Sequence, residues 1–134
     1  MNDKVLLISK WQLRDGITEE LIEILHSLAG EVEDAEEGTL MYRIHLQSRA
    51  ALDTYDEAIE PPPSPIPNAQ QHEVIFIEVY ESAEAFSAHV KGKVFNQFKD
   101  RVLKFFQPDP LRENWPLTKT EFLTLQSGFI REDA

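Results

Sequence analysis

The stretch FIEVYESAEAFSAHV, residues 76–90, decides the fold because it joins a strand pattern directly to a helix pattern. With the preceding EVI, its first half is rich in β-branched and aromatic residues and predicts a strand over Glu73–Tyr80. Ser82 is a favoured residue type at a helix N-cap, and the helix AEAFSAHVK that follows presents a single histidine, His89. The stretch is therefore either a packed strand-to-helix corner or one wall of a small-molecule pocket.

Upstream of this stretch, the chain contains a strand, a helix and a second strand. KVLLISKWQL (4–13) is rich in β-forming residues and predicts a buried first strand. GTLMYRIHLQ (38–47) predicts the second strand. Between them, apolar residues recur at three- and four-residue steps and predict one helical face, which consists of Ile17, Leu21, Ile24, Leu25, Leu28 and Val32.

Downstream, the chain adds a second helical face and a last strand. Gly92 allows a bend, after which TKTEFLTLQ (118–126) predicts the fourth strand. The helical face between them consists of Val94, Phe95, Phe98, Val102, Phe105 and Phe106. The order βαββαβ predicts an α+β, ferredoxin-like fold, with both helices on one face of an antiparallel sheet.

Composition excludes several classes of function. The 134 residues predict a single domain, 1–134, and a net charge of −11 argues against a nucleic-acid partner. The chain has no cysteine, and its four histidines do not pair at metal-ligand spacing within a helix. No glycine-rich phosphate loop is present, so we expect neither a metal nor a nucleotide cofactor. The short apolar run at the N-terminus predicts no membrane span, and we expect a cytoplasmic protein.

Residues 48–72 interrupt the pattern and are interpreted as an inserted, proline-rich loop. RAALDTYDEAIE (49–60) is compatible with a short helix. PPPSPIP (61–67) cannot continue a helix, because proline lacks the backbone donor and enforces an extended path. The insertion is either a surface loop or a lid over a pocket.

The third strand has two chemically different faces, because successive side chains alternate across a sheet. One face is aliphatic, is expected to pack against the helices, and consists of Ile75, Ile77 and Val79. The other combines apolar, aromatic and acidic groups and consists of Val74, Phe76, Glu78 and Tyr80. We expect this second face to be left uncovered by the helices and to be covered by another copy of the chain, giving a homodimer.

Two segments resemble the antibiotic biosynthesis monooxygenase (ABM) family, whose fold is a dimeric α/β barrel. EEGTLMY (36–42) is similar to the acidic-Gly-x-x-x-Tyr motif at the start of a family strand. FIEVYESAEAFSAHVKGKVFNQF (76–98) is similar to the family's Glu-x-aromatic strand, its apolar-x-x-His helix, and the small-residue break that follows. The resemblance extends from Val5 to about Phe106 and implies a pocket between sheet and helices, near a dimer interface.

The resemblance implies a cofactor-independent monooxygenase that acts on a quinol-like or polyphenolic aromatic molecule. Such a substrate can itself reduce dioxygen, so the protein supplies a base, positions the substrate and excludes water. Two alternatives remain open on the same fold. One is isomerisation or proton transfer on a small carbonyl compound; the other is a non-catalytic dimeric module for ligand binding or stress response.

The resemblance also implies site residues. His89 matches the family's helix histidine and is either the catalytic base or a hydrogen-bonded histidine at a helix–sheet seam. Glu78 matches the strand carboxylate and is either catalytic or a structural partner. The candidates for substrate binding, each with a core, edge or surface role as the alternative, are Tyr80, Tyr42, Trp11, Phe76 and Asn96.

Overall fold

The computed structural model describes residues 3–131. From the N-terminus, the elements are β1 (Val5–Gln12), α1 (Glu19–Ala35), β2 (Thr39–Leu46), β3 (Glu73–Tyr80), α2 (Ala83–Lys91), α3 (Lys93–Val102) and β4 (Thr118–Leu123). Short 3-10 turns lie at Asn68–Gln70 and Leu103–Phe105. The second predicted helical face, residues 94–106, is therefore interrupted after Val102, and the bend predicted at Gly92 separates α2 from α3.

The four strands form one sheet in the order β2-β3-β1-β4, and each neighbouring pair is antiparallel. The buried residues of α1 and α3 join those of β1 and β3 in a single core. This arrangement confirms the predicted α+β, ferredoxin-like fold. None of the helices within residues 3–131 combines the length and the apolar character needed to cross a membrane.

Local sequence signals explain where the helices begin and bend. The side chains of Thr18 and Ser82 accept hydrogen bonds from the backbone N–H groups of Leu21 and Ala85, which caps α1 and α2. Gly92 ends α2 and begins α3. A Cβ added at Gly92 would lie only 2.8 Å from the carbonyl oxygen of Ala88, so a larger residue would disturb this bend.

The prediction of which β3 face meets the helices was wrong. Val74, Phe76 and Tyr80 are fully buried within the single chain, and Glu78 is buried beside them. The aliphatic face instead lies open and consists of the half-buried Ile75, Ile77 and Val79. Alternation shows which side chains share a face but not which face receives the helices.

Trp11 of β1 stands at the centre of the core. Its ring centroid lies 5.1 Å from that of Phe76, 5.5 Å from that of Phe98 and 5.4 Å from that of Phe106. Aromatic rings at this separation combine large apolar burial with favourable ring geometry. This cluster joins α3, β1 and β3 and fixes the distance between sheet and helices.

The insertion between β2 and β3 has a free half and an anchored half. Residues 49–60 do not form the short helix that their sequence allowed. The Asp53 carboxylate instead accepts hydrogen bonds from the backbone N–H groups of Tyr55 and Glu57 and closes a turn. Near β3, the buried amide of Gln71 bonds to both the N–H and the carbonyl of Gln47.

We predict that the two halves of the insertion contribute very differently to stability. Replacing residues 50–64 by a four-residue glycine–serine linker should change the free energy of unfolding by less than about 1 kcal/mol, since closure entropy varies slowly with loop length. Gln71→Ala should lower it by about 1–3 kcal/mol, because two backbone groups of Gln47 lose their partner. Urea denaturation measures both. A deletion as damaging as Gln71→Ala would mean that residues 50–64 pack as part of the domain.

Candidate functional site

A cavity of about 100 Å³ lies between the β1–β4 side of the sheet and helices α2 and α3. Its wall combines aromatic rings with hydroxyl, imidazole and carboxyl groups. The lining residues are Leu7, Ser9, Trp11, Glu78, Phe86, His89, Val90, Phe95, Trp115, Thr118 and Thr120. A small apolar space with a few convergent polar groups is typical of a ligand site.

Strand register gives one side of the cavity its polar lining. Ser9 of β1 lies opposite Thr120 of β4, and their hydroxyl oxygens are 2.8 Å apart and hydrogen-bonded. The indole N–H of Trp11 donates to the Ser9 hydroxyl over 3.2 Å. The polar atoms of this wall are thus held by the sheet itself.

His89 is buried at the inner end of the site, only 2% exposed. Its ring centroid lies 5.4 Å from those of Tyr42 and Tyr80 and 5.1 Å from that of Phe95. The Nδ1 atom lies 2.8 Å from Oε1 of Glu36. Burial lowers the pKa of His89, and the Glu36 charge and hydrogen bond oppose this shift. The imidazole is therefore neutral at neutral pH.

Glu78 places a carboxyl group in the same cavity. The Tyr80 hydroxyl donates to Oε1 of Glu78. Burial raises the pKa of Glu78 to about 7; the Tyr80 hydrogen bond lowers it, and the Glu36 charge raises it further. Burial, followed by the Glu78 charge, raises the pKa of Tyr80 well above its usual value, so Tyr80 remains a donor.

His89 and Glu78 bring a base and an acid to the same cavity. Burial favours the neutral form of each, so the imidazole can accept a proton and the carboxyl can donate one. No residue within 3–131 hydrogen-bonds to Nε2 of His89, which leaves that nitrogen available to a ligand. The arrangement can therefore move protons on a small bound molecule.

Comparison with known proteins places the chain in a family. Residues 4–101 match the family described as "Antibiotic biosynthesis monooxygenase". The chain belongs to the antibiotic biosynthesis monooxygenase family. This membership supports a general monooxygenase-type function. No curated protein sequence matches the chain significantly.

Solved structures of other proteins share the fold at low sequence identity. SnoaB, a cofactor-independent oxygenase from Streptomyces nogalater, has a TM-score of 0.59 at 10% identity, covering 96% of this chain and 99% of its own. A Caulobacter crescentus protein, provisionally described as an antibiotic biosynthesis monooxygenase, has a TM-score of 0.62 at 14% identity, covering 94% and 92%. A Pseudomonas aeruginosa protein has a TM-score of 0.57 at 20% identity, covering 95% and 98%. At such identities these likenesses show the fold alone.

In this ABM protein, the predicted site residues divide into four groups. Trp11, Glu78 and His89 line the cavity. Tyr80 holds Glu78 through its hydroxyl. Tyr42 and Phe76 lie in the aromatic packing behind the residues that line the cavity. Asn96 lies apart at the α2–α3 break, where its amide donates to the carbonyl oxygens of residues 90 and 92.

Sequence reasoning missed Glu36 as a partner of His89. Glu36 begins the EEGTLMY segment that resembles the family, yet nothing in the sequence pairs it with a residue 53 positions away. It also missed Trp115 and the Ser9, Thr118 and Thr120 hydroxyls. Trp115 lies in a stretch that the sequence marks only as a break between elements, so no pattern pointed to it.

We predict a pH-dependent stability term from Glu78. Its folded pKa of about 7 exceeds the ordinary 4.5, so the folded state binds more protons between these values. This term therefore falls by about 3 kcal/mol as pH rises from 4.5 to 7. His89, with its lowered pKa, acts in the opposite direction below pH 6.5.

The contribution of Glu78 can be separated from that of His89 by comparing a Glu78 variant with the wild type. In urea denaturation from pH 5 to pH 8, the free energy of unfolding of Glu78→Gln should increase relative to that of the wild type as pH rises. Exposed Glu81, changed to Gln, serves as the control and should track the wild type. A constant difference between Glu78→Gln and the wild type would show that Glu78 ionises normally.

Proposed function

We propose that this protein is a cofactor-independent monooxygenase that oxidises a quinol-like aromatic molecule with dioxygen. One observation carries the proposal: a buried, neutral imidazole and a carboxyl titrating near pH 7 face one cavity with aromatic walls. Deprotonation turns a phenol into an electron-rich phenolate, which can pass electrons to dioxygen. Family membership supports the same class of reaction.

The size of the cavity favours a substrate whose reacting part is a single ring. A core cavity of about 150 Å³ accepts benzene. The cavity here has a volume of about 100 Å³ and is walled by Trp11, Phe86 and Phe95. The cavity therefore has room for no more than one ring, and further rings would have to lie outside it. This favours a quinol over a fused polyphenol.

In the proposed reaction, Nε2 of His89 takes a proton from a substrate hydroxyl. The resulting phenolate transfers electrons to dioxygen, and a ring-bound peroxide forms at a carbon that still carries hydrogen. Loss of that C–H proton breaks the O–O bond and leaves a carbonyl on the ring. Glu78 and its Tyr80 partner donate a proton to the oxygen atom that departs. One oxygen atom enters the product and the other leaves as water, while the quinol supplies all the electrons and becomes a hydroxyquinone.

Proton transfer on a small carbonyl compound is the second candidate function. The opposed pKa shifts of His89 and Glu78 favour it, because isomerisation needs one group to accept a proton and another to return it. Such a reaction consumes no dioxygen. Turnover without oxygen uptake would therefore select this alternative.

We predict that His89→Ala removes most quinol-dependent oxygen uptake. Loss of a general base typically lowers the rate by about 10²–10⁴-fold. An oxygen electrode with hydroquinone, a substituted one-ring quinol and a naphthohydroquinone provides the measurement. His26→Ala is the control, because His26 is exposed on α1 and lies away from the cavity.

The outcomes separate the possible roles of the site. Full oxygen uptake by His89→Ala would leave His89 as a structural residue and refute the proposed base. No uptake by the wild type with any quinol would refute the monooxygenase proposal. Circular dichroism of each variant verifies that the fold is retained.

We also propose that the protein works as a homodimer through the open face of the sheet. The centre of this face is apolar and half-buried, and includes Leu6, Ile8, Ile75, Ile77 and Val79. Charged or titratable side chains flank it, among them Lys10, Arg43 and His45. An apolar sheet face of this kind is typical of a protein interface, and in a two-fold dimer the same face of a second copy can pack against it. A cytoplasmic location stays a prediction.

We predict that Ile77→Lys dissociates this dimer. The substitution places an unpaired charge in an interface expected to exceed roughly 1,000 Å². Light scattering at micromolar concentration should give a dimer mass for the wild type and a monomer mass for Ile77→Lys. Leu111→Lys is the control, because Leu111 is 95% exposed and lies off the sheet. A monomeric wild type would refute the proposal.

A further inference from the structure

We propose that Glu36 is a positioning residue that fixes the orientation and tautomer of His89, leaving Nε2 as the nitrogen that meets the substrate. The catalytic consequence rests on the proposed function. The structural part concerns the ring alone and can be tested without any substrate.

Hydrogen-bond chemistry assigns the tautomer. Oε1 of Glu36 lies 2.8 Å from Nδ1 of His89, and a carboxylate oxygen accepts rather than donates. Nδ1 therefore carries the proton, and Nε2 keeps its lone pair. The hydroxyl of Thr39 donates to the same Oε1 over 2.8 Å, which holds the carboxylate in place from its own turn. Thr39 thus fixes the Glu36 carboxylate, and the carboxylate fixes the imidazole of His89.

The turn that carries Glu36 lies unusually close to α2. A Cβ added at Gly38 would lie 2.7 Å from the Cβ of Ala85, closer than real side chains approach. The N–H of Glu81 donates to the carbonyl of Gly38 over 2.9 Å, which ties the same turn to the end of β3. The absence of a side chain at Gly38 therefore lets Glu36 reach the helix that bears His89.

The position of Glu36 at the end of α1 does not stabilise its carboxylate. Glu36 is the C-cap of α1, where the helix dipole is negative and an acidic group is unfavourable. The last turn of α1 contains no basic residue to offset this charge. The hydrogen bond from His89 offsets it instead, and the negative charge increases the basicity of the ring.

Other titratable groups surround His89 but none replaces Glu36. Tyr42 reaches the ring from β2, and Tyr80 and Glu78 approach from β3. The Tyr80 hydroxyl is committed to Glu78, and α3 presents the apolar ring of Phe95. Within residues 3–131, the imidazole donates its hydrogen bond to Glu36.

Imidazole nitrogen NMR tests the assignment on the whole protein without substrate. The ¹⁵N shifts of His89 should show the Nδ1–H tautomer in the wild type. In Glu36→Gln the pKa of His89 should fall and the tautomers should mix, because the charge and the strong acceptor are lost. Thr39→Val keeps the charge and should shift the pKa less. Exposed Glu37, changed to Gln, should match the wild type.

Kinetics distinguish positioning from simple folding support. Glu36→Gln should lower kcat at least about tenfold with KM nearly unchanged, and move the acidic limb of the pH–rate profile to lower pH. Unchanged tautomer and pKa in Glu36→Gln, or equal changes in Glu37→Gln, would overturn the proposal. A wild type that oxidises no quinol yet shows the Nδ1–H tautomer, lost in Glu36→Gln, would refute only the proposed function.

Discussion

The structure depends on the burial of a carboxyl group among aromatic rings on the helix-facing side of β3. Glu78 lies in the same row as Val74, Phe76 and Tyr80, which are excluded from solvent. Leaving a carboxylate there without a partner would be strongly unfavourable, so the fold supplies the Tyr80 hydroxyl and raises the pKa of the acid. Glu78 itself belongs both to this buried row and to the lining of the cavity, so packing and acid–base chemistry meet at one side chain.

Much of the fold could be predicted from periodicity, because each element carries its own signal. The apolar spacing of residues 17–32 specified α1, and Ser82 specified the start of α2. The face of β3 that meets the helices could not be assigned, because both faces are apolar enough to be buried. The sequence of residues 49–60 is compatible with a short helix, yet the side chain of Asp53 accepts hydrogen bonds from two backbone amides and closes a turn instead.

The candidate site was only partly predictable, for a related reason. His89 and Glu78 could be identified because His89 is the single histidine of its helix, Glu78 is the single acid on its face of β3, and both match residues of the family motif. Glu36 could not, because it stands among several acidic residues and its significance comes from a contact distant in sequence. Likewise, the hydroxyls of Ser9 and Thr120 become a polar wall only when β1 pairs with β4.

The break at Gly92 divides the cavity wall between two helices that are anchored by different contacts. α2 carries His89 and is tied to the Gly38 turn, whereas α3 carries Phe95 and packs through Phe98 against Trp11. Substitutions in α3 can therefore reshape the space for a ligand while the imidazole stays in place. Substitutions that accumulate in α3 can thus change which molecules bind, while His89 on α2 is retained. A single kink thus makes the pocket evolvable.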